Sequence, residues 1–324
     1  MRRARRVREA ASRGGLLSVN WLLRHPGLLL AASLLLVGVG LLGLAAWAVL
    51  RPRVVRVPDE LPPGFPAEGF DLRPLEELLE RFVDADGRVD YARWHADPEA
   101  RAALERCLAA FARYSPENAP ERFPSGEARL AYWLAAYNAC VLQGVLLHWP
   151  LESVRDLRTP LDPVAGLGFF ARLRFVLGGR AYSLYELEHE RIRARFPDPR
   201  VHFVLNCGSA SCPALRPELP EGPDLEAFLE RAAADFVADD RNVRVDRARR
   251  RVHLSQIFSW YREDFLAELA RRGVPPRDRN LGTYLRRVAR GERRALLEEA
   301  RDYALVFDPY DWSVNARSPA PAGE

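Results

Sequence analysis

The sequence contains no lysine; every one of the 48 residues in its Lys+Arg count is arginine. Many of these arginines lie on ordinary helix faces, so the absence reads as codon bias. A concentrated basic stripe with interleaved aromatics is also missing. Acids and bases alternate along the chain and the net charge is only +4, which excludes nucleic acid as the partner. No internal repeat is present. The run Asp84-Ala-Asp-Gly87 opens like a calcium loop, but no acids follow at the later ligand positions, so it reads as a plain turn.

What is present is length and apolar content. A chain of 324 residues, 48% hydrophobic, supports one large domain or two small ones with a sizeable core. Gly27 to Leu50 carries no charge, and as a helix rising 1.5 Å per residue it just spans a hydrocarbon core of about 30 Å. Arginines crowd the preceding segment (Arg2, Arg3, Arg5, Arg6, Arg8, Arg13, Arg24), and the positive-inside rule then puts the N-terminus in the cytoplasm. A cleaved signal peptide, with Ala46-Trp47-Ala48 at its end, is the rival; the apolar run is longer than a signal core. The expectation is an uncleaved single-pass anchor in the inner (cytoplasmic) membrane with the domain outside. The chain then divides into a basic cytoplasmic tail (1–26), a transmembrane anchor (27–50), a proline-rich spacer (51–70), one globular domain (71–315) and a disordered tail (316–324).

Within the domain, Leu75, Leu78, Leu79 and Phe82 fall at helical spacing, and Glu99 to Tyr114 is amphipathic with Cys107 on its apolar stripe. Glu127 to His148 is apolar nearly all round. It is marginally short for a second span and carries Asn138 and Gln143, so it reads as a buried central helix, with Cys140 in the core. Asn138 must find partners there, either tying the helix to a loop backbone or facing a site. Arg172 to Leu177 and Arg180 to Ser183, joined by Gly178-Gly179, form a hairpin; Asn242 to Asp246 and Arg251 to Ser255 form a weaker pair. Ser255 and Asn280 start further helices, and Tyr303 to Phe307 is a last strand. The fold class is α+β: a predominantly helical domain with a small, mostly antiparallel sheet, preceded by one transmembrane helix.

Chemistry gathers between Tyr182 and Arg216. Ser183 caps a helix on which Leu184, Leu187, Glu188, Arg191 and Ile192 share the inward face; His189 points about 100° away. A carboxylate on such a face is either functional or paired with Arg191 or Arg200. Val201 to Leu205 reads as a strand that turns His202 and Asn206 to the same side. Cys207 follows, then the loop Gly208-Ser-Ala-Ser211 and Cys212-Pro213. Three chemistries fit. Cys207 is a nucleophile activated by His202 or His189 and oriented by Glu188 or Asn206, with Asn138 also orienting or stabilising. Alternatively, Cys207 and Cys212 form a disulfide around the loop. Third, the two cysteines and a histidine hold zinc, although their spacing is unusual for it. No metal or other cofactor is expected from the weight of these readings.

Seven segments carry a resemblance. They are Gly87-Arg-Val-Asp-Tyr91, Tyr132-Trp-Leu-Ala-Ala-Tyr-Asn138, Leu187-Glu-His189, Pro199-Arg-Val-His-Phe-Val-Leu-Asn-Cys207, Ser211-Cys-Pro213, Ile257-Phe-Ser-Trp-Tyr-Arg-Glu-Asp-Phe265 and Tyr310-Asp-Trp-Ser-Val-Asn315. In this order the chain resembles the family catalogued as domain of unknown function 547. The resemblance implies no defined chemistry. It implies membrane-attached or exported bacterial relatives and plant relatives with a preceding coiled coil. Domains in both reducing and oxidising compartments imply a site role for Cys207 over an obligatory disulfide. Two functions follow: a thiol-dependent hydrolase or acyl transferase using Cys207, His202, His189, Glu188 and Asn138, or a non-catalytic binding or scaffolding module. In the second, a Cys207–Cys212 loop is structural and a surface such as Trp260 and Tyr261 meets a partner. Beyond the membrane helix, that partner is a small molecule, a peptide or a protein.

Overall fold

The computed structural model describes residues 30, 34–41, 43–44, 51–159, 162–220 and 222–317. The basic tail (1–26) lies outside them, as do most of the expected anchor and residues 318–324 of the expected tail. Of the apolar run, residues 34–41 are helical, and Leu34, Leu35, Leu36 and Val37 are exposed. The unit that begins at Pro52 carries the remainder of the fold.

That unit starts earlier than the proline content suggests. Arg53–Val55 is a strand (β1) that pairs in parallel with Leu173–Phe175, and Phe70 packs against Phe111, Phe123 and Tyr132 at ring distances of 5.0 to 5.5 Å. The stretch 51–70 is therefore part of the domain and not a spacer. Prolines forbid a helix there, but the β-branched Val54-Val55 pair and a buried aromatic anchor tie the strand down.

Helices follow where caps and periodicity place them. Helix α1 (Arg73–Phe82) buries Leu75, Leu78, Leu79 and Phe82. Asp90 caps α2 (Tyr91–Ala96), accepting from the Arg93 N–H, and Asp97 caps α3 (Pro98–Arg113), accepting from Ala100 N–H with Pro98 at the first helical position. Ser125 caps α4 (Gly126–Leu147), in which every residue from Leu130 to Leu146 is buried. By length and composition α4 would cross a membrane, yet 94% of its apolar window is covered by the rest of the domain. A helix apolar on all sides needs neighbours on all sides, and α2 and α3 supply part of that shell.

The expected hairpin forms as β2 (Leu173–Leu177) and β3 (Arg180–Ser183). Gly178 and Gly179 take φ values of 57° and 80°, the left-handed pair that a tight hairpin turn needs. Their N–H groups donate to the Phe111 and Ala112 carbonyls, satisfying acceptors that the end of α3 leaves open. After β3 come α5 (Leu184–Glu186), which runs on as a π-helical segment, Leu187–Arg193, and α6 (Leu225–Ala238). Next are β4 (Val243–Asp246), β5 (Arg251–Leu254), α7 (Gln256–Trp260), α8 (Arg262–Arg271), α9 (Leu281–Val288), α10 (Gly291–Glu299) and β6 (Ala304–Phe307).

The class is α+β, but the sheet differs from expectation. Among the described residues the strands form two three-stranded sheets, β1-β2-β3 and β4-β5-β6, each with one parallel and one antiparallel pair. Hairpins announce themselves by their turns; the parallel partners β1 and β6 arrive from far along the chain and leave no such local sign.

Gly87 gives the fold one sharp test. Its φ is 74°, and a Cβ there would lie 2.5 Å from the backbone nitrogen of Leu215. Gly87→Ala is expected to destabilise the domain by about 1–3 kcal/mol. Chemical denaturation measures this directly, and an unchanged midpoint would contradict the close approach.

Candidate functional site

The site begins with three buried asparagines. Asn138, midway along α4, donates from Nδ2 to the Val204 carbonyl (3.0 Å) and accepts at Oδ1 from the Asn206 N–H (2.9 Å). Asn206 donates to the Pro213 carbonyl (2.8 Å) and accepts from the Gly208 N–H (2.8 Å) and from Asn315 Nδ2 (3.2 Å). Asn315 accepts from the Tyr91 hydroxyl (3.0 Å). The relay ties the central helix to the cysteine loop, to the C-terminal segment 310–315 and to α2. Asn138 therefore positions backbone. It does not line the cavity described below, and a catalytic part for it is not supported by its contacts.

The segment before the loop is not a strand. Pro199–Phe203 forms a short 3-10 helix whose first turn is capped by Asp198, accepting from the Arg200 N–H (2.9 Å). An Asp–Pro start outweighs the β-branched content here. The expected alternation is lost, and Val201, His202 and Phe203 are all buried. His202 and Asn206 do not share a side as expected: His202 lines the cavity described below together with Leu205, and Asn206 does not.

The structure joins Cys207 and Cys212 as a disulfide, with Cα atoms 6.2 Å apart, an ordinary span for such a bridge. The Cys207 N–H donates to the Cys212 sulfur (2.9 Å). Around the bridge stand hydroxyls. Ser209 Oγ is 3.0 Å from the Cys207 sulfur and 3.3 Å from that of Cys212, and it donates to the Tyr310 hydroxyl (3.1 Å). Tyr310 is held there because residues 310–315 strap the loop: Ala210 N–H donates to the Ser313 carbonyl, Asn315 N–H to the Gly208 carbonyl, and Asp311 N–H to Ser211 Oγ. The two remaining cysteines, Cys107 and Cys140, are free and buried, as their helix positions imply; burial pushes the Cys107 thiol up to about 12.

A cavity of about 270 Å³ opens beside the bridge. It is lined by Glu188, His202, Cys207 and Cys212 together with Tyr137, Phe170, Tyr185, Trp260, Tyr261, Tyr310 and Trp312. The walls are thus mainly apolar and aromatic. Trp260, Tyr310 and Trp312 touch one another, with ring centroids 4.6 to 5.6 Å apart. The structure brings Glu188, His202 and Cys207 to one hollow, but without the hydrogen bonds of a cysteine–histidine pair. His202 Nε2 bonds Asp264 Oδ2 at 2.8 Å, while its ring stacks on Tyr261 with centroids 3.8 Å apart. His189 stays outside. Its ring stacks on Tyr185 at 4.0 Å and its Nδ1 bonds the Tyr185 carbonyl, the i−4 contact that a helical histidine makes when it lies along its own helix.

Glu188 projects from the π-helical segment and accepts from the Tyr261 hydroxyl at 2.6 Å. It forms no pair with Arg191, which bonds Glu117, or with Arg200, which bonds Asp198 and Glu226. Burial of the Tyr261 phenol, reinforced by the Glu188 charge, raises it far above its ordinary value, so the hydroxyl keeps its proton and donates it. Burial alone would raise the Asp264 carboxyl, but hydrogen bonds from His202 and Arg193 outweigh it and hold the group well below the usual carboxylate range. Burial lowers His202, against the pull of Asp264. The pair is therefore a neutral imidazole donating Nε2–H to a carboxylate, the tautomer that an acceptor-only partner requires.

Sequence reasoning missed Asp264, Tyr137, Tyr310, Trp312 and Asn315, the partner of Asn206. Asp264 sits within the Ile257–Phe265 segment and Tyr310, Trp312 and Asn315 within Tyr310–Asn315, both of which carry the resemblance. The signal was present as motif, but nothing local paired those motifs with His202 or the cysteine loop.

The comparisons agree with the resemblance. The family model described as "Protein of unknown function, DUF547" matches residues 121–237, which supports assigning the chain to that family. The matched span takes in Asn138, Glu188, His202 and Cys207; the opposite wall, Trp260 to Trp312, lies beyond it. No curated protein and no solved structure matches the chain.

Two outcomes test the geometry. Asn138→Ala strips partners from a buried carbonyl and a buried N–H, and is expected to cost about 2–4 kcal/mol in chemical denaturation; a loss within error would show the relay to be idle. The second concerns pH. The folded pKa of His202 lies below its ordinary value of 6.5, so between the two values the unfolded chain binds the extra proton. That stability is whole above pH 6.5 and is lost as pH falls below it. Denaturation at pH 7.5 and 5.5 should show a drop that shrinks in His202→Gln; an equal drop in both proteins would refute the assignment.

Proposed function

We propose that the chain is a membrane-anchored, extracytoplasmic domain that binds a ligand in the aromatic cavity, with the Cys207–Cys212 bridge as a structural clasp. One observation carries this reading: Glu188, His202 and both bridged sulfurs open onto a single aromatic-walled cavity. Concave, mostly apolar walls with a few converging polar groups are what small-molecule sites share. At about 270 Å³ the volume falls just below the roughly 300–1,000 Å³ typical of such sites, and suits a small molecule better than a peptide.

The bridge also supports the compartment. Disulfides persist where the surroundings oxidise, as they do outside the inner membrane. The anchor rests on the uncharged run from Gly27 to Leu50 and its arginine-rich flank. Exposed leucines on its helical portion fit a lipid-facing role.

A thiol-dependent hydrolase or acyl transferase has less support. A bridged sulfur is not a nucleophile, and among the described residues no hydrogen bond joins either sulfur to the His202 imidazole. Opening the bridge would leave Cys207 beside the hydroxyls of Ser209 and Tyr310.

Two measurements separate the readings. Iodoacetamide applied to the folded protein, followed by mass mapping, is expected to leave Cys207 unmodified and bridged to Cys212; labelling of Cys207 alone would favour the thiol enzyme. N-phenyl-1-naphthylamine, a neutral apolar dye, is expected to bind saturably with a rise in fluorescence, and the double variant Trp260→Ala, Trp312→Ala should weaken it several-fold. A folded protein that never enhances the dye would defeat the binding reading.

A further inference from the structure

Glu188 is the feature that an apolar pocket leaves unexplained. Its carboxylate lines the cavity, its one hydrogen bond is the Tyr261 hydroxyl, and among the described residues it belongs to no ion pair. The nearest cation in that network is Arg193. Its guanidinium is committed to Asp264 by two bonds, 2.8 and 3.2 Å, and its flat face lies 4.9 Å from the Tyr261 ring. His202, the other basic group on the cavity, is neutral and bonded to the same Asp264. The cavity therefore holds one carboxylate with no direct ion pair among the described residues, set against a wall of aromatic rings.

We infer that the cavity takes a small organic cation, an alkylammonium with a compact apolar body. Its positive head sits between Glu188 and the rings of Trp260 and Tyr310, because the Tyr261 ring is already taken by His202 and Arg193. The inference rests on the ligand-binding reading above and deepens it. Two physical terms point the same way. A carboxylate partly withdrawn from water favours a counter-charge. Electron-rich ring faces attract cations, by about 0.5 kcal/mol at exposed sites and about 2 kcal/mol when desolvated. An anionic ligand would meet Glu188 with no free cation beside it. A neutral apolar ligand would bury the carboxylate further without compensation. Trp260 is 47% exposed although large and apolar, so part of the cage stands open to an incoming ligand.

The test uses the full chain in maltoside detergent. Choline is the probe, and 3,3-dimethylbutan-1-ol, its uncharged carbon isostere, is the control. Quenching of tryptophan fluorescence, with Trp260 and Trp312 in the wall, reports binding. Choline should bind saturably and about tenfold or more tighter than the isostere. Glu188→Gln should cut choline affinity about tenfold and leave the isostere unchanged. Its amide oxygen still accepts from Tyr261, so the fold is retained. Trp260→Leu, at a half-exposed position, should weaken choline without altering the thermal midpoint. Equal affinity for the two probes, or a Glu188→Gln protein that binds choline normally, would overturn the inference. If N-phenyl-1-naphthylamine fills the cavity and choline does not bind, the cation inference fails and the binding reading stands. If neither probe nor the dye binds, both fail.

Discussion

A buried amide on an apolar helix sets the terms for the whole molecule. Helix α4 gains its place by being apolar on every side, and Asn138 interrupts that surface with two donors and two acceptors that water cannot reach. One donor is satisfied by the Val204 carbonyl and one acceptor by the Asn206 N–H. Once that is done, Asn206 has its own amide to satisfy, and it does so with Gly208, Pro213 and Asn315. Each asparagine hands the requirement on, until Tyr91 closes the chain of bonds at the far end. Apolar packing alone would tolerate many arrangements of the loop around Cys207. The hydrogen-bond requirement tolerates few, because every alternative strands a polar group in the core.

The cavity follows from that constraint. Fixing residues 206 to 213 against α4 presents the bridged sulfurs to one side, and the strap that includes Asn315 brings Tyr310 and Trp312 across them. The π-helical segment then delivers Glu188 from the opposite wall, and α8 delivers Asp264 behind His202. None of these elements is long, and the chemistry sits on loops and short helices held by a rigid centre, the usual division of labour between scaffold and site. The electrostatic result is asymmetric. Asp264 is paired with Arg193 and hydrogen-bonded by neutral His202, whereas Glu188 is left to a single phenol.

Much of this was legible in the sequence and the illegible part has a physical pattern. Caps at Ser183, Ser255 and Asn280, the Gly178-Gly179 turn and the stripe on α1 are local rules, and the structure follows them. The convergence of Glu188, His202 and Cys207 was readable from their crowding into one stretch. What misled was local competition and distant pairing. The sequence 201–205 has strand-like residues, but Asp198-Pro199 starts a helical turn. The proline-rich stretch looked like a linker because its strand partner, β2, lies more than a hundred residues on. Asp264 and Tyr310 could not be assigned to the site because no periodicity relates positions so far apart.

The bond between Tyr91 and Asn315 spans 224 residues of chain, and the strap at 310–315 is a wall of the cavity. A ribosome therefore completes α1 through α4 long before the last wall exists. Until then the Tyr91 hydroxyl lacks its native partner, and the amide of Asn206 has Gly208 and Pro213 but not Asn315. The contact order of this closure is high, and such closures form late and slowly. The cavity is thus the last thing the chain acquires, and quality control that samples nascent or truncated chains meets a largely formed helical core whose site has not yet come into being.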